Sequence, residues 1–190
     1  AIDSMIGMLK RLIGENIQLV WQPANRELSV QIDEVSIDQI LVNLSVNARD
    51  AIDKQGTITI STHSVSIKDE VALQHNVLPG EYALIQVTDD GIGIDEETQK
   101  LIFDPFFTTK EVGKGTGLGL STVYGIVKNN GGFIEVQSEK EKGTTFKIYL
   151  PVFIERRKFA QYHDNAVKDL FHGTETILIV EDEVSILKMI

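Results

Sequence analysis

Asn43, Asn47 and Asp50 recur at i, i+4 and i+7 in VNLSVNARD, so a helix would carry all three on one narrow strip. Asparagine is a poor helix former. Two of them in line on a helix that otherwise builds a core point to a function; the alternative is an ordinary solvent-facing polar edge. A second candidate group ends the apolar run YALIQVT, where Asp89 leads into Asp90-Gly91-Ile92-Gly93-Ile94. Either aspartate can be the turn residue that stops a strand. A third set is the alternation Gly113, Gly115, Gly117, Gly119, interleaved with Lys114, Thr116 and Leu118 and followed by Leu120. Glycines let backbone amides approach a phosphate, and the unpaired N–H groups of a helix's first turn attract negative charge. Read alone, the competing reading is a mobile surface loop that binds nothing. Lys110 and Lys114 either neutralise phosphate or simply solvate that loop.

These residues need elements to hold them. Ile37, Ile40, Leu41, Leu44, Ala48, Ala51 and Ile52 give Asp33–Asp53 a broad apolar helical face beside the polar strip. Tyr82–Thr88 is nearly continuous in apolar residues, the pattern of a central strand, and it delivers Asp89. A short acidic helix is expected at Glu96–Leu101, and a helix at Leu120–Asn130 that Gly131-Gly132 stops. Between them, IFDPFFTTKEVGKGTGLG is long, glycine-rich and dense in phenylalanine, so it reads as a lid. Further strands are expected at Asn16–Trp21, Leu28–Ile32, Thr57–Ile67, Phe133–Ser138 and Thr144–Leu150. Residues 2–13 carry a helical apolar stripe, and 68–80 read as a connecting loop. Pro151 closes the domain. Residues 152–173 read as a linker, and ILIV after Thr176 starts a new strand that ends in Glu181-Asp182-Glu183.

Composition narrows the chemistry. At 190 residues and 42% hydrophobic, the chain can bury a substantial core. Its formal net charge of −10 argues against broad nucleic-acid or acidic-membrane binding, so an anionic ligand would need local cations, a metal or helix N-termini. Without cysteine there are no disulfides, thiolate metal sites or cysteine nucleophiles. No apolar run is long enough to span a bilayer and no signal-peptide pattern appears, so a cytoplasmic location is expected. Both ends fall inside a pattern and look like cuts from a longer protein.

Four features in this order, LVNLSVNARDA, VTDDGIGI, FDPFFTTK and GKGTGLGLS, closing with GGFIEVQSEKEKGTTFKIYLP, resemble the N, G1, F and G2 boxes of the histidine-kinase ATP-binding domain. That domain has the Bergerat fold, shared with gyrase, the Hsp-ninety chaperones and mismatch-repair ATPases (the GHKL group). The resemblance covers residues 15–151. It implies a two-layer α/β sandwich, with a mixed sheet of about five strands covered on one face by about three helices, and it implies ATP and Mg²⁺ as cofactors. Asp89 resembles the aspartate that accepts the adenine exocyclic amine; guanine presents a carbonyl there, which a carboxylate repels. Gly91 and Gly93 would turn the backbone beside the base, with Ile94 in the same pocket. Asn47 resembles the asparagine that holds Mg²⁺ through its side-chain oxygen, and Asn43 would support it. Phe103, Lys110, Lys114, Gly115, Thr116, Gly117, Leu118, Gly119 and Leu120 fall in the lid. Phe103, Phe106 and Phe107 would anchor it on the protein body, though a purely core role is the reading preferred for them. Thr144 resembles a threonine that touches the adenine pocket.

Two positions qualify that resemblance. Hydrolytic relatives place a water-activating glutamate where Asn43 stands; an amide cannot act as a base, so phosphoryl transfer is favoured over hydrolysis. Asp50 replaces the cation that many family members place there, which leaves its role open. His63, His75, His163 and His172 all lack the context of a phosphoacceptor histidine and read as surface groups. The recipient histidine would then lie on a separate dimerisation domain, and this fragment would bind ATP without autophosphorylating. TILIVEDEVSILKMI resembles the start of a response-regulator receiver domain, with Glu181 and Asp182 as its acidic pair. The implied organisation is the end of a dimerisation helix at 1–14, the ATP-binding catalytic domain at 15–151, a linker at 152–174 and a truncated receiver at 175–190. The implied parent is a homodimeric hybrid sensor kinase with a receiver domain or response regulator downstream. The rival readings are a GHKL-type ATPase and a serine-kinase-like nucleotide-binding module.

Overall fold

The computed structural model describes residues 2–111 and 115–153. Helix α1 (Ile2–Ile13) leads into strand β1 (Ile17–Gln22), helix α2 (Glu34–Ala51), strand β2 (Gly56–Ile67), helix α3 (Asp69–His75) and strand β3 (Gly80–Asp89). Helix α4 (Glu96–Gln99), the lid segment, helix α5 (Gly119–Asn129) and strands β4 (Phe133–Glu139) and β5 (Gly143–Pro151) complete it. The five strands form one sheet in the order β1-β2-β3-β5-β4, so β3 is central, as its unbroken apolar run requires. β1 pairs parallel with β2 and every other pair is antiparallel, giving the expected mixed sheet.

Alternation along the strands sends one set of side chains to each face. Ile58, Ile60, Ile85, Val87, Phe146, Ile148 and Leu150 point to the face covered by α1, α2 and α5. α2 lays Ile37, Ile40, Leu41, Leu44 and Ala48 on them, α1 adds Met5, Leu9 and Ile13, and α5 adds Val123 and Val127. Asp33 starts α2: its carboxylate accepts the Ser36 amide at 2.8 Å, which satisfies a first-turn donor. Hydrogen bonds from the Ser36 hydroxyl and amide hold the Asp33 carboxyl below its usual range.

The opposite face departs from expectation. Residues 68–80 contain α3 as well as a loop, and α3 covers a second cluster of Ile67, Ala72, Tyr82 and Phe133. His75 ends α3, stacks on Phe133 at 4.1 Å between ring centroids and pairs with Glu135 at 3.1 Å. It is therefore a packing residue rather than a free surface group. Phe133 stacks in turn on Tyr149 at 4.2 Å, and the Tyr149 hydroxyl donates to Glu135. Burial and the neighbouring Glu135 carboxylate push the Tyr149 phenol up to about 12.

Leu28–Ile32 does not form a strand. Only Val30 pairs, in an isolated antiparallel bridge with Val152, and the Phe153 amide donates to the Ser29 carbonyl. The segment is fastened to the exit of β5 at one point instead of joining a ladder. Those bonds hold Val152 and Phe153, beyond Pro151, to the body. The linker from Ile154 onward and the receiver-like stretch at 175–190 lie outside the described residues. No helix among the described residues is long and apolar enough to cross a membrane.

Candidate functional site

The end of β3 places Asp89 between Ile58 of β2 and Thr144 of β5. The side chain is 5% exposed. Both protein hydrogen bonds to it arrive on Oδ1, from the Gly91 amide at 2.9 Å and the Thr144 amide at 3.3 Å. Burial raises the Asp89 carboxyl above its usual range; the two amides oppose that shift and the charge of Asp90 adds to it. The two aspartates are thereby told apart. Asp90 is exposed and does the turn work, accepting the Thr57 amide at 2.8 Å.

The loop after Asp89 is pressed between α2 and β4. The Ile92 amide donates to the Ala51 carbonyl at 3.0 Å, and a Cβ on Gly91 would stand 2.6 Å from that same oxygen. Gly93 has φ +67° and lies where any Cβ would collide with the Glu139 carbonyl, so glycine is required on both counts. The Ile94 amide donates to Ser138 Oγ at 2.8 Å, and that hydroxyl also stands 2.9 Å from Thr144 Oγ1. Gln99 from α4 donates to the Ile94 and Ser138 carbonyls at 2.8 and 2.9 Å. Ser138 and Gln99 thus brace the turn and escaped the sequence reading. Nothing in QSEK or EETQ marks them, because their partners come from distant segments.

Asn43, Asn47 and Asp50 do share a strip of α2, with both asparagines half-buried. Asn43 Oδ1 lies 3.4 Å from where a Cβ on Gly119 would stand, so the first residue of α5 faces this strip. Leu118, the N-cap of α5, makes no side-chain cap, and the first amide of the ladder to find a helical partner is Thr122, on the Leu118 carbonyl. The earlier amides of that turn lack a partner within the helix. An uncapped N-terminus beside two amide oxygens can hold an anion together with a hard cation. Among the described residues no three His, Cys, Asp or Glu side chains stand together as a metal cluster. A divalent ion here would rely on asparagine oxygens and on oxygens supplied by its ligand.

The lid is pinned at several points. Phe103 packs on Tyr124 of α5 at 5.5 Å, and Phe103 and Phe107 both join the edge of the main core. Phe106 does otherwise. It is 73% exposed, with φ +68°, and it anchors through its backbone, donating to the Gly117 carbonyl at 2.9 Å. Gly117 shares the left-handed conformation, and a Cβ there would collide with the Phe106 backbone. Thr108 Oγ1 accepts the Lys110 amide, Thr116 Oγ1 accepts the Leu118 amide, and Leu120 packs at the core edge. Lys110 Nζ meets Asp50 Oδ2 at 2.6 Å. Asp50 Oδ1 in turn accepts Arg49 Nε and Nη2 at 2.9 and 2.7 Å. Burial acts to raise the Asp50 carboxyl, but hydrogen bonds from Lys110 and Arg49 outweigh it and hold the group below its usual range. Gly113 and Lys114 lie outside the described residues.

The family model described as "Histidine kinase-, DNA gyrase B-, and HSP90-like ATPase" matches residues 32–154. The chain is 45% identical over 184 residues to the Sensor kinase CckA of Brucella abortus (strain 2308), covering 93% of this chain and 19% of that protein. It is 38% identical over 161 residues to the Sensor histidine kinase ZraS of Escherichia coli (strain K12), covering 78% of this chain and 31% of that one. The chain therefore spans between a fifth and a third of these relatives' lengths. Among solved structures, the nucleotide-free catalytic domain of the histidine kinase ThkA superposes with a TM-score of 0.61 at 30% identity, over 80% of this chain and 92% of that one.

Proposed function

The chain belongs to the family of histidine kinase-, DNA gyrase B- and HSP90-like ATPases, and we propose that it is the ATP-binding catalytic part of a two-component hybrid sensor kinase. In this reading it transfers the γ-phosphoryl of Mg·ATP to a histidine on a dimerisation domain. The observation that carries the reading is Asp89, buried at the end of the central strand with both protein hydrogen bonds on Oδ1. Its Oδ2 is then the acceptor for the adenine amine, and Gly91, Gly93, Ile94 and Thr144 shape the pocket around it. The phosphates would lie at the other end, between the Asn43–Asn47 strip and the amides of Gly119 and Leu120.

Asn47, supported by Asn43, would hold Mg²⁺, a hard cation that needs few protein ligands. When bound, the cation would supply charge neutralisation along the phosphates. The protein's own share is positioning, because the transferred group needs little covalent help. An imidazole nitrogen of the partner domain forms a bond to γ-phosphorus as the bond to the β,γ-bridging oxygen breaks and ADP leaves. Asn43, an amide, cannot take a proton from water, which favours transfer over hydrolysis. The receiver-like TILIVEDEVSILKMI supports the hybrid organisation, a downstream receiver as the next phosphate acceptor, and a cytoplasmic setting.

The test mixes the chain with Mg·ATP labelled at the γ position and a separately purified dimerisation helix pair. Acid-labile, base-stable label on the helix pair is the expected result. Acid-stable label, or phosphate released to water without the pair, overturns the reading.

A further inference from the structure

We infer that Asp50 is a positioning residue: it draws the lid lysine Lys110 onto the strip that carries Asn47, and so sets a cation at the phosphate end of the nucleotide site. The inference rests on the nucleotide reading above and adds a role that the sequence leaves open. A bare carboxylate one turn beyond Asn47 would repel the phosphates of the ligand. Asp50 is not bare. Its two oxygens are divided between two cations: Oδ2 takes Lys110 Nζ at 2.6 Å, and Oδ1 takes the Arg49 guanidinium at 2.7 and 2.9 Å. Two cations on one anion leave the cluster net positive.

The cluster is braced on both sides. Arg49 Nη1 donates to the Leu12 carbonyl at 3.2 Å, so the guanidinium is tied to the last turn of α1. The stem of Lys110 runs along the glycine stretch: a Cβ on Gly115 would stand 3.3 Å from Lys110 Cβ and Cδ. Asp50 itself sits on a regular helix turn, three residues after Asn47. A flexible lysine 60 residues away is thereby held by one short, charge-assisted bond next to the phosphate strip. The lysine's other donors remain able to reach an incoming phosphate oxygen, since an ammonium has three. The anion belongs to the rigid helix and the useful cation to the lid, so the site gains its positive charge when the lid is docked.

The sign of one substitution decides the matter. Asp50→Asn removes a negative charge next to a polyanion; if Asp50 acted by repulsion, affinity for Mg·ATP would rise. Positioning of Lys110 requires the opposite. Isothermal titration with Mg·ATP is expected to show Asp50→Asn and Lys110→Met each weakening binding by about two- to fivefold, the scale of a partly exposed ion pair. The double variant should bind no more weakly than either single one, because each removes the same interaction. Asp50→Glu, which keeps the carboxylate, should restore most of the affinity, and adenosine, which lacks phosphates, should bind all variants alike. Thermal unfolding of each variant separates misfolding from a change at the site. Tighter or equal binding by Asp50→Asn, or strictly additive losses in the double variant, overturns the inference while leaving the nucleotide site standing. Absence of Mg·ATP binding by the unaltered chain overturns both.

Discussion

Asp89 shows how a single side chain is taken out of its ordinary chemistry by its place in the sheet. The carboxylate is buried, and the fold bears the cost of a charge with two amide partners and one negative neighbour. Asp89→Asn keeps an acceptor oxygen for the Gly91 and Thr144 amides and removes the buried charge. The variant is expected to be at least as resistant to thermal unfolding at neutral pH as the unaltered chain, and to lose nucleotide binding by titration. A variant that unfolds earlier and still binds would remove Asp89 from the site. The pH dependence has a definite sign. Because the folded-state value lies above the ordinary 3.8, the charged form is disfavoured by folding, and the penalty is present above that raised value. It is relieved as pH falls through it, so the stability gap between the variant and the unaltered chain narrows on acidification. Asp50 runs the other way. Its value is lowered, so its contribution persists above the unfolded value and is lost only as pH falls through the lowered one. What could be read at this scale was the type of each residue, and Asp89 was singled out over Asp90 by its family pattern. The partners of Asp50 were out of reach, because Lys110 is distant in sequence and its docking depends on the lid's path.

Among the elements, α2 and β3 were legible because each is long enough for its period to register. Eighteen residues of α2 repeat the apolar spacing several times, and β3 is apolar almost without interruption. α3 was missed because DEVALQH spans only seven residues, too few for a helical period to stand out. What holds it is His75 on Phe133 and Glu135, a contact set by strand register. Val30 was over-read for the opposite reason: it has strand composition but only one pairing partner. The interior of α2 also contains an imperfection. Ser45 is fully buried and its hydroxyl has no hydrogen-bond partner. Removing an unpaired buried hydroxyl relieves its desolvation, so Ser45→Ala is expected to stabilise the chain by about 1 kcal/mol. Urea unfolding measures it, and destabilisation of that size would mean the hydroxyl is satisfied in solution.

At the scale of the whole molecule, α1 is part of the ATP-binding body. The chain forms one compact unit over Ala1–Ile154, and Met5, Leu9 and Ile13 enter the same core as α2 and the sheet. Residues 2–13 were legible as a helix, but their amphipathic stripe did not say which surface would receive it. Trp21 Nε1 donates to Asp3 and Arg49 to the Leu12 carbonyl, fixing both ends of α1. Deleting residues 1–13 exposes the receiving face and forfeits the three buried side chains, an expected loss of roughly 5 kcal/mol in urea unfolding. A loss near zero would show that α1 only rests on the surface.

The two ends of the nucleotide site are built from parts of unequal permanence. In the proposed reading, purine choice would rest on Asp89 at the end of the central strand of the sheet. At the other end, the lid that would add Lys110 to the phosphate site is held by backbone pins and an ion pair. On the proposed reading, a substitution in the lid would alter the grip on phosphates and leave the choice of base, set at the end of the central strand, unchanged.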